Sequence, residues 1–136
     1  MKVMNQEKKV FKMNLIISIK PQFVEKILSG EKKYEFRRRI YKQEVDKIYI
    51  YQTLPEQGIV AYFTPGEIIK DTPQNLWDNF SQVSGTTEEH LLGYLHDLDE
   101  AYAIEITNLK TFDEPFIPEG IKAPQSYKYI DFDLKE

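Results

Sequence analysis

No cysteine occurs among the 136 residues, which excludes disulfides, thiolate nucleophiles and cysteine-ligated zinc or iron–sulfur centres. Histidine is nearly as scarce. His90 and His96 are the two imidazoles, and at six residues apart they do not share one helical face. They read as exposed helix histidines, and no metal or other cofactor is expected. No apolar run approaches the roughly 20 residues that a membrane-crossing helix needs, and the N-terminus lacks a signal-peptide core. The expectation is a cytoplasmic location with no membrane partner.

Hydrophobic residues make up 41% of the chain and charged residues 29%, a balance that fits a folded domain rather than a disordered segment. The length supports one hydrophobic core. Residues 1–12 are polar and lysine-rich without a sustained period and read as a flexible tail, leaving residues 13–136 as a single domain. The net charge of −4 is unevenly spread. Residues 1–47 hold 13 Lys and Arg against 6 Asp and Glu, a surplus of +7, and the rest of the chain carries −11. A local basic surface and its neutralisation by acidic neighbours are both compatible with that pattern.

The run LIISIK at Leu15–Lys20 reads as a buried strand. Pro21 suits a first helical position, Phe23, Val24, Ile27 and Leu28 recur at helical spacing, and Gly30 suits a left-handed cap. From Lys33 the period changes to two, setting Tyr34, Phe36 and Arg38 against Lys33, Glu35, Arg37 and Arg39. Lys47–Thr53 and Gly58–Phe63 predict further strands, with a break at Pro65 and Gly66 before a short extension over Glu67–Lys70. Thr72 and Pro73 open a helix carrying Leu76, Trp77 and Phe80, which Gly85 ends. Thr86 and Glu89 fit a capping box for a second helix with Leu91, Leu92, Leu95 and Leu98. Ala101–Thr107 alternates again, and the small Ala101 and Ala103 leave room for something packed on them. Irregular chain is expected after Asp113, then a closing segment over Gln125–Ile130.

The densest chemistry lies between Gly30 and Arg39. Gly30, Lys32, Glu35 and Arg37 fit GxKxxExR, which resembles the signature of the ASCH (activating signal cointegrator homology) domain of the PUA-like superfamily. LIISIKPQFVEKILSGEKKYEFRRR, IYIYQTLPEQGIVAYF and APQSYKYI are also similar to the small stand-alone prokaryotic and phage members, so the resemblance covers roughly residues 13–131. It implies an α+β fold: a small, mixed, partly open β-barrel with flanking helices and an inserted helical hairpin. For function it implies binding of RNA or a nucleotide-like ligand, with a regulatory role, or else ribonuclease or amidohydrolase activity. Whether the chain is an enzyme stays open, as does a role as a protein-interaction module using the acidic hairpin. The branch acting on acetylated cytidine uses the motif lysine, a threonine three residues later and a glutamate in the hairpin. Here those positions are Lys32, Glu35 and a site near Val83, so the attacking hydroxyl is missing and that reaction is disfavoured.

A carboxylate flanked by Lys32 and Arg37 is held ionised, while the cations stay available to phosphate; the same trio also fits a salt bridge closing the barrel. Arg38, Arg39 and Lys42 could follow a nucleic acid backbone, or simply form an exposed strand end. Tyr49, Tyr51, Trp77, Tyr127 and Tyr129 are candidates for stacking on unpaired bases, each with core packing as its alternative. If the chain is an enzyme, the resemblance returns Ser126 to the cleft beside Lys32, with Tyr51 or Tyr127 completing the group. A turn serine is the simpler role for Ser126.

Overall fold

Residues 12–135 are described in the structure, a computed structural model; the expected N-terminal tail, apart from Lys12, lies outside them. Strand β1 (Met13–Ile19) pairs with parallel β3 (Val45–Gln52) and antiparallel β6 (Tyr127–Ile130), and it is apolar on both faces because Leu15, Ile17 and Ile19 pack in one core layer and Ile16 in another. Helix α1 (Pro21–Ser29) follows at once. Its N-cap, Lys20, makes no side-chain cap bond, but Pro21 has no N–H to satisfy there. The helix stops at Gly30, which takes φ 87° and returns its N–H to the Ile27 carbonyl. Val24 and Ile27 are buried with Leu15, Ile17 and Ile50 in one core layer.

Strand β2 (Tyr34–Arg37) is shorter than its alternation predicts. Among the described residues its strand partner is β5 (Ala101–Phe116), and Arg37 already sits opposite Tyr102, so the ladder runs out before Arg39. Strand β4 (Gly58–Asp71) corrects the expected break at Pro65. The chain passes through Pro65 and Gly66 with shifts of register on β5, and the Glu67 N–H donates to the Glu105 carboxylate at 3.0 Å instead of to the ladder. A bulge thus accommodates the proline. Likewise β5 runs on to Phe116, where irregular chain was expected, because Ile59 at the start of β4 offers it a partner.

Among the described residues the strands of the sheet lie in the order β2-β5-β4-β3-β1-β6. The sheet curls like a small barrel, and its edge strands approach through a side chain, Arg37 of β2 donating to Ser126 just before β6. Between β4 and β5 comes the helical hairpin, α2 (Pro73–Phe80) and α3 (Glu88–Tyr94). Thr72 caps α2, its Oγ1 accepting from the Asn75 N–H at 3.1 Å. The cap of α3 is Thr87, one residue beyond the expected Thr86, because Thr86 is held in the turn after Gly85 by the Ser84 hydroxyl. Leu76, Leu91 and Leu95 pack onto Ala101, Ala103 and Phe36, so the space that the alanines leave is filled by the hairpin.

One buried group has no partner among the described residues. The Tyr41 hydroxyl is sealed in the core, and burial pushes its pKa up to about 12. Tyr41→Phe removes that stranded hydroxyl, and its stability to urea at neutral pH should match the wild type or exceed it by up to about 1 kcal/mol. A raised tyrosine pKa stabilises the fold fully below the ordinary value of 10, and that contribution is lost as pH climbs towards about 12. The wild type should therefore lose stability against Tyr41→Phe only in that alkaline window. Divergence at neutral pH by several kcal/mol in the wild type's favour would show that the hydroxyl has a partner after all.

Candidate functional site

Lys32 follows the α1 stop and is fixed before β2 begins. Its N–H donates to the Lys26 carbonyl at 3.0 Å, it bridges to Ser84, and the next N–H, of Lys33, donates to Val83 at 2.8 Å. The turn leading into α3 therefore holds the lysine's backbone. The side chain is 5% exposed. Nζ donates to the Ser84 carbonyl at 3.2 Å, lies 3.5 Å from Glu35 Oε1 and sits 4.8 Å from the centre of the Phe36 ring. Burial draws the Lys32 pKa down, and the Glu35 carboxylate opposes that shift.

The charged side of β2 is not a solvent face, since Glu35 is 6% exposed. Its second oxygen accepts from Arg37 Nη1 at 2.9 Å, and Arg37 Nη2 donates onward to Ser126 Oγ at 2.7 Å. Ser126 is held in turn, its carbonyl accepting the Ser18 N–H at 3.1 Å, while Ser18 Oγ donates to the Pro124 carbonyl at 2.6 Å. A continuous polar chain thus runs from Ser84 through Lys32, Glu35 and Arg37 to Ser126, tying the hairpin to the segment before β6.

Lys32, Glu35 and Arg37, the middle of this chain, line a cleft of about 280 Å³ between α1, α3 and Gln125. Phe23, Phe36 and Leu91 give it apolar walls, and His90 and Tyr94 reach it from α3. The ring centroids of Phe23 and His90 are 5.2 Å apart. Burial raises the Tyr94 pKa, and the nearby Arg37 charge works against that. Sequence reasoning missed Phe23, His90 and Tyr94. The available signal was the four-residue spacing of His90 and Tyr94, which sets both on one side of a helix whose leading turn contacts the motif lysine.

Lys32, Glu35, Arg37 and Ser126 are brought together, whereas the other expected residues lie elsewhere. Tyr51 is 2% exposed and packs with Ile16, Tyr49 and Ile59, outside the cleft lining. Tyr127 packs edge-on against Tyr129 at the core margin. The Tyr129 hydroxyl accepts the N–H groups of Lys42 and Gln43, and that of Tyr49 accepts the Leu134 N–H. Trp77 belongs to the hairpin cluster. The strand aromatics are therefore committed to packing. Arg38 is occupied as well, donating to the Tyr94 and His96 carbonyls at 2.8 and 3.1 Å and pairing with Asp97 at 3.0 Å. It closes the end of α3, where unpaired carbonyls favour a cation. Arg39 is exposed.

Acidic residues from later in the chain offset part of the early basic surplus, with Asp97 on Arg38 and Asp133 on Lys47. Among the described residues no three His, Asp or Glu side chains gather closely enough to hold a metal ion. No helix there is long and apolar enough to cross a membrane.

No family model matches the chain. An ASCH domain-containing ribonuclease of Zymomonas mobilis is 29% identical over 89 residues, which are 65% of this chain and 60% of that protein. The crystal structure of ASCH from Zymomonas mobilis superposes with a TM-score of 0.78 at 24% identity, covering 86% of this chain and 87% of that one. A serine-to-alanine variant of the same protein gives 0.79 at 23% identity, covering 88% and 89%. The chain thus has the fold of the Zymomonas mobilis ASCH structures, and over 89 residues its sequence is similar to that of the ASCH domain-containing ribonuclease.

Proposed function

We propose that the protein binds RNA or a nucleotide-like ligand in the cleft lined by Lys32, Glu35 and Arg37. The observation that carries this reading is the Lys32–Glu35–Arg37 chain itself, a buried carboxylate between two cations at the wall of a cleft of about 280 Å³. The trio keeps a net positive charge. Glu35 orients Arg37, and Lys32 is held by the Ser84 carbonyl and the Glu35 carboxylate, so an anion entering the cleft would meet two fixed cations beside a single carboxylate. The name of the Zymomonas mobilis relative, a ribonuclease, supports RNA as that anion.

The test is fluorescence anisotropy with a short labelled single-stranded RNA over a salt series. Binding is expected to weaken as salt rises, and Lys32→Ala to lower affinity on the order of tenfold and flatten the salt slope by about one counterion. Salt-insensitive binding, or a Lys32→Ala variant that binds like the wild type, would sink the proposal.

A second reading is favoured by the placement of Ser126. Arg37 donates to its Oγ at 2.7 Å, which leaves the hydroxyl hydrogen free for a phosphate oxygen. In that reading the protein is a metal-independent ribonuclease, with Lys32 stabilising charge on the phosphate. Labelled RNA incubated with chelator separates the two readings. Products that vanish in Lys32→Ala and Ser126→Ala support cleavage, and intact RNA leaves binding alone.

A further inference from the structure

One wall of the cleft takes no part in the ion-pair chain. It is built by His90 and Tyr94, one helical turn apart on α3, and by Phe23 of α1. The packing of α3 does not require the two α3 side chains. Leu91 and Leu95 are buried beneath the helix, while His90 is exposed and Tyr94 is 39% exposed. Aromatic surface has thus been left facing the cleft where the core gains nothing from it. It stands beside the cationic floor, with Lys32 Nζ 5.7 Å from the Phe23 ring centre and that ring 5.2 Å from His90.

We infer that this wall is a platform for a nucleobase and that the site takes one unpaired nucleotide, phosphate towards Lys32 and Arg37, base against Phe23, His90 and Tyr94. The inference rests on the RNA reading above and narrows it to single strands. Size supports this. About 280 Å³ lies just below the roughly 300–1,000 Å³ range of drug-sized ligand cavities, room for a ligand of nucleotide size and too small for a duplex. Geometry agrees, because bases stacked inside an A-form helix cannot reach rings set back in a cleft, whereas a splayed base can. The chemistry is also apt: every base has a π-face, so aromatic walls hold bases of any sequence. Tyr94, Thr86 and Gln125 border the same space, and their side chains carry groups able to hydrogen-bond a base edge.

The experiment compares a labelled single-stranded RNA, the same strand annealed to its complement, and an abasic strand of equal length. Wild-type protein should prefer the first. His90→Ala and Tyr94→Ala should each weaken it about five- to a hundredfold, the range that losing one base–aromatic stack gives. His90→Phe, which keeps a ring, should retain most of the affinity. Both alanine substitutions are at surface positions, so folding should survive them. If RNA binding depends on Lys32 while duplex and abasic strands bind as well as the single strand, or both alanine variants bind like the wild type, the platform is overturned and the RNA reading stands. A His90→Phe variant as weak as His90→Ala overturns stacking as the role of that ring. Absence of any Lys32-dependent RNA binding removes the reading and the platform together.

Discussion

Glu35→Ala should lower stability by about 3–5 kcal/mol, the cost of breaking a buried ion pair from one side, whereas Lys32→Met at the other side should cost far less. The asymmetry follows from the order of charges. Glu35 is the shared partner of two cations, at 3.5 Å from Lys32 Nζ and 2.9 Å from Arg37 Nη1. Without it, Lys32 keeps the Ser84 carbonyl and the face of the Phe36 ring, and neither carries a full opposing charge. Lys32 is 5% exposed and cannot turn to water. In Lys32→Met the situation is milder, because Glu35 retains Arg37 and the methionine stem fills the lysine's apolar path between Phe23 and Phe36. Urea denaturation at neutral pH should rank wild type and Lys32→Met well above Glu35→Ala, with Glu35→Gln between them. Equal losses in Lys32→Met and Glu35→Ala would mean that Glu35 is not the common counter-ion.

The same burial gives a pH dependence of known sign. The Lys32 pKa is below its ordinary value of 10.5 in the folded protein. Between the lowered value and 10.5 the unfolded chain holds a proton that the folded chain has released, so Lys32 makes stability rise with pH there. Lys32→Met abolishes that rise. Any contribution of the Lys32 charge to RNA binding should also fade below the ordinary lysine range.

Local rules made the skeleton of the site legible in sequence. The proline at the start of α1, the left-handed glycine at its end and the period-two run behind it are near-neighbour signals, and they place Lys32, Glu35 and Arg37 on the connection between helix and strand. Less accessible was anything fixed by chain distant in sequence. Arg39 falls outside β2 because β5 has no residue to pair with it, and β4 passes Pro65 because Glu105 supplies the acceptor for a bulge. The base-stacking candidates failed for a similar reason: Tyr49 and Tyr51 are aromatics on a strand, but β3 is covered on both faces, so their rings are core. His90 was set aside on its spacing to His96, although its meaningful neighbours are Tyr94, one turn on, and Phe23 of another helix.

Gly85→Ala is expected to be among the most damaging single-methyl additions, costing about 2–5 kcal/mol, and to disturb the cleft at the same time. Two costs combine at this position. Gly85 holds φ +67°, a left-handed conformation worth about 1–2 kcal/mol against alanine. In addition, an added Cβ would stand 2.6 Å from Lys32 Cβ, 3.1 Å from its Cγ and 3.2 Å from Lys26 Cβ. Those atoms are the roots of their side chains, and Lys32 is bridged to Ser84 next door, so they cannot swing aside. Relief requires the turn and the lysine to separate, which pulls Nζ from the Ser84 carbonyl and adds an overpacking cost of about 1–3 kcal/mol. Two other glycines isolate these contributions. At Gly30, φ is +87° but an added Cβ meets nothing within 4 Å, so Gly30→Ala should show the conformational cost alone, about 1–2 kcal/mol. At Gly93, inside α3 with open space around it, Gly93→Ala should stabilise by about 0.5–1 kcal/mol. Urea unfolding of the three variants should place Gly93→Ala above wild type, Gly30→Ala below it and Gly85→Ala lowest. RNA binding by the folded fraction should fall in Gly85→Ala alone, since of the three added methyl groups only that one touches Lys32. A Gly85→Ala variant as stable as Gly30→Ala would show that the turn yields freely, and that the hairpin does not set the position of the lysine.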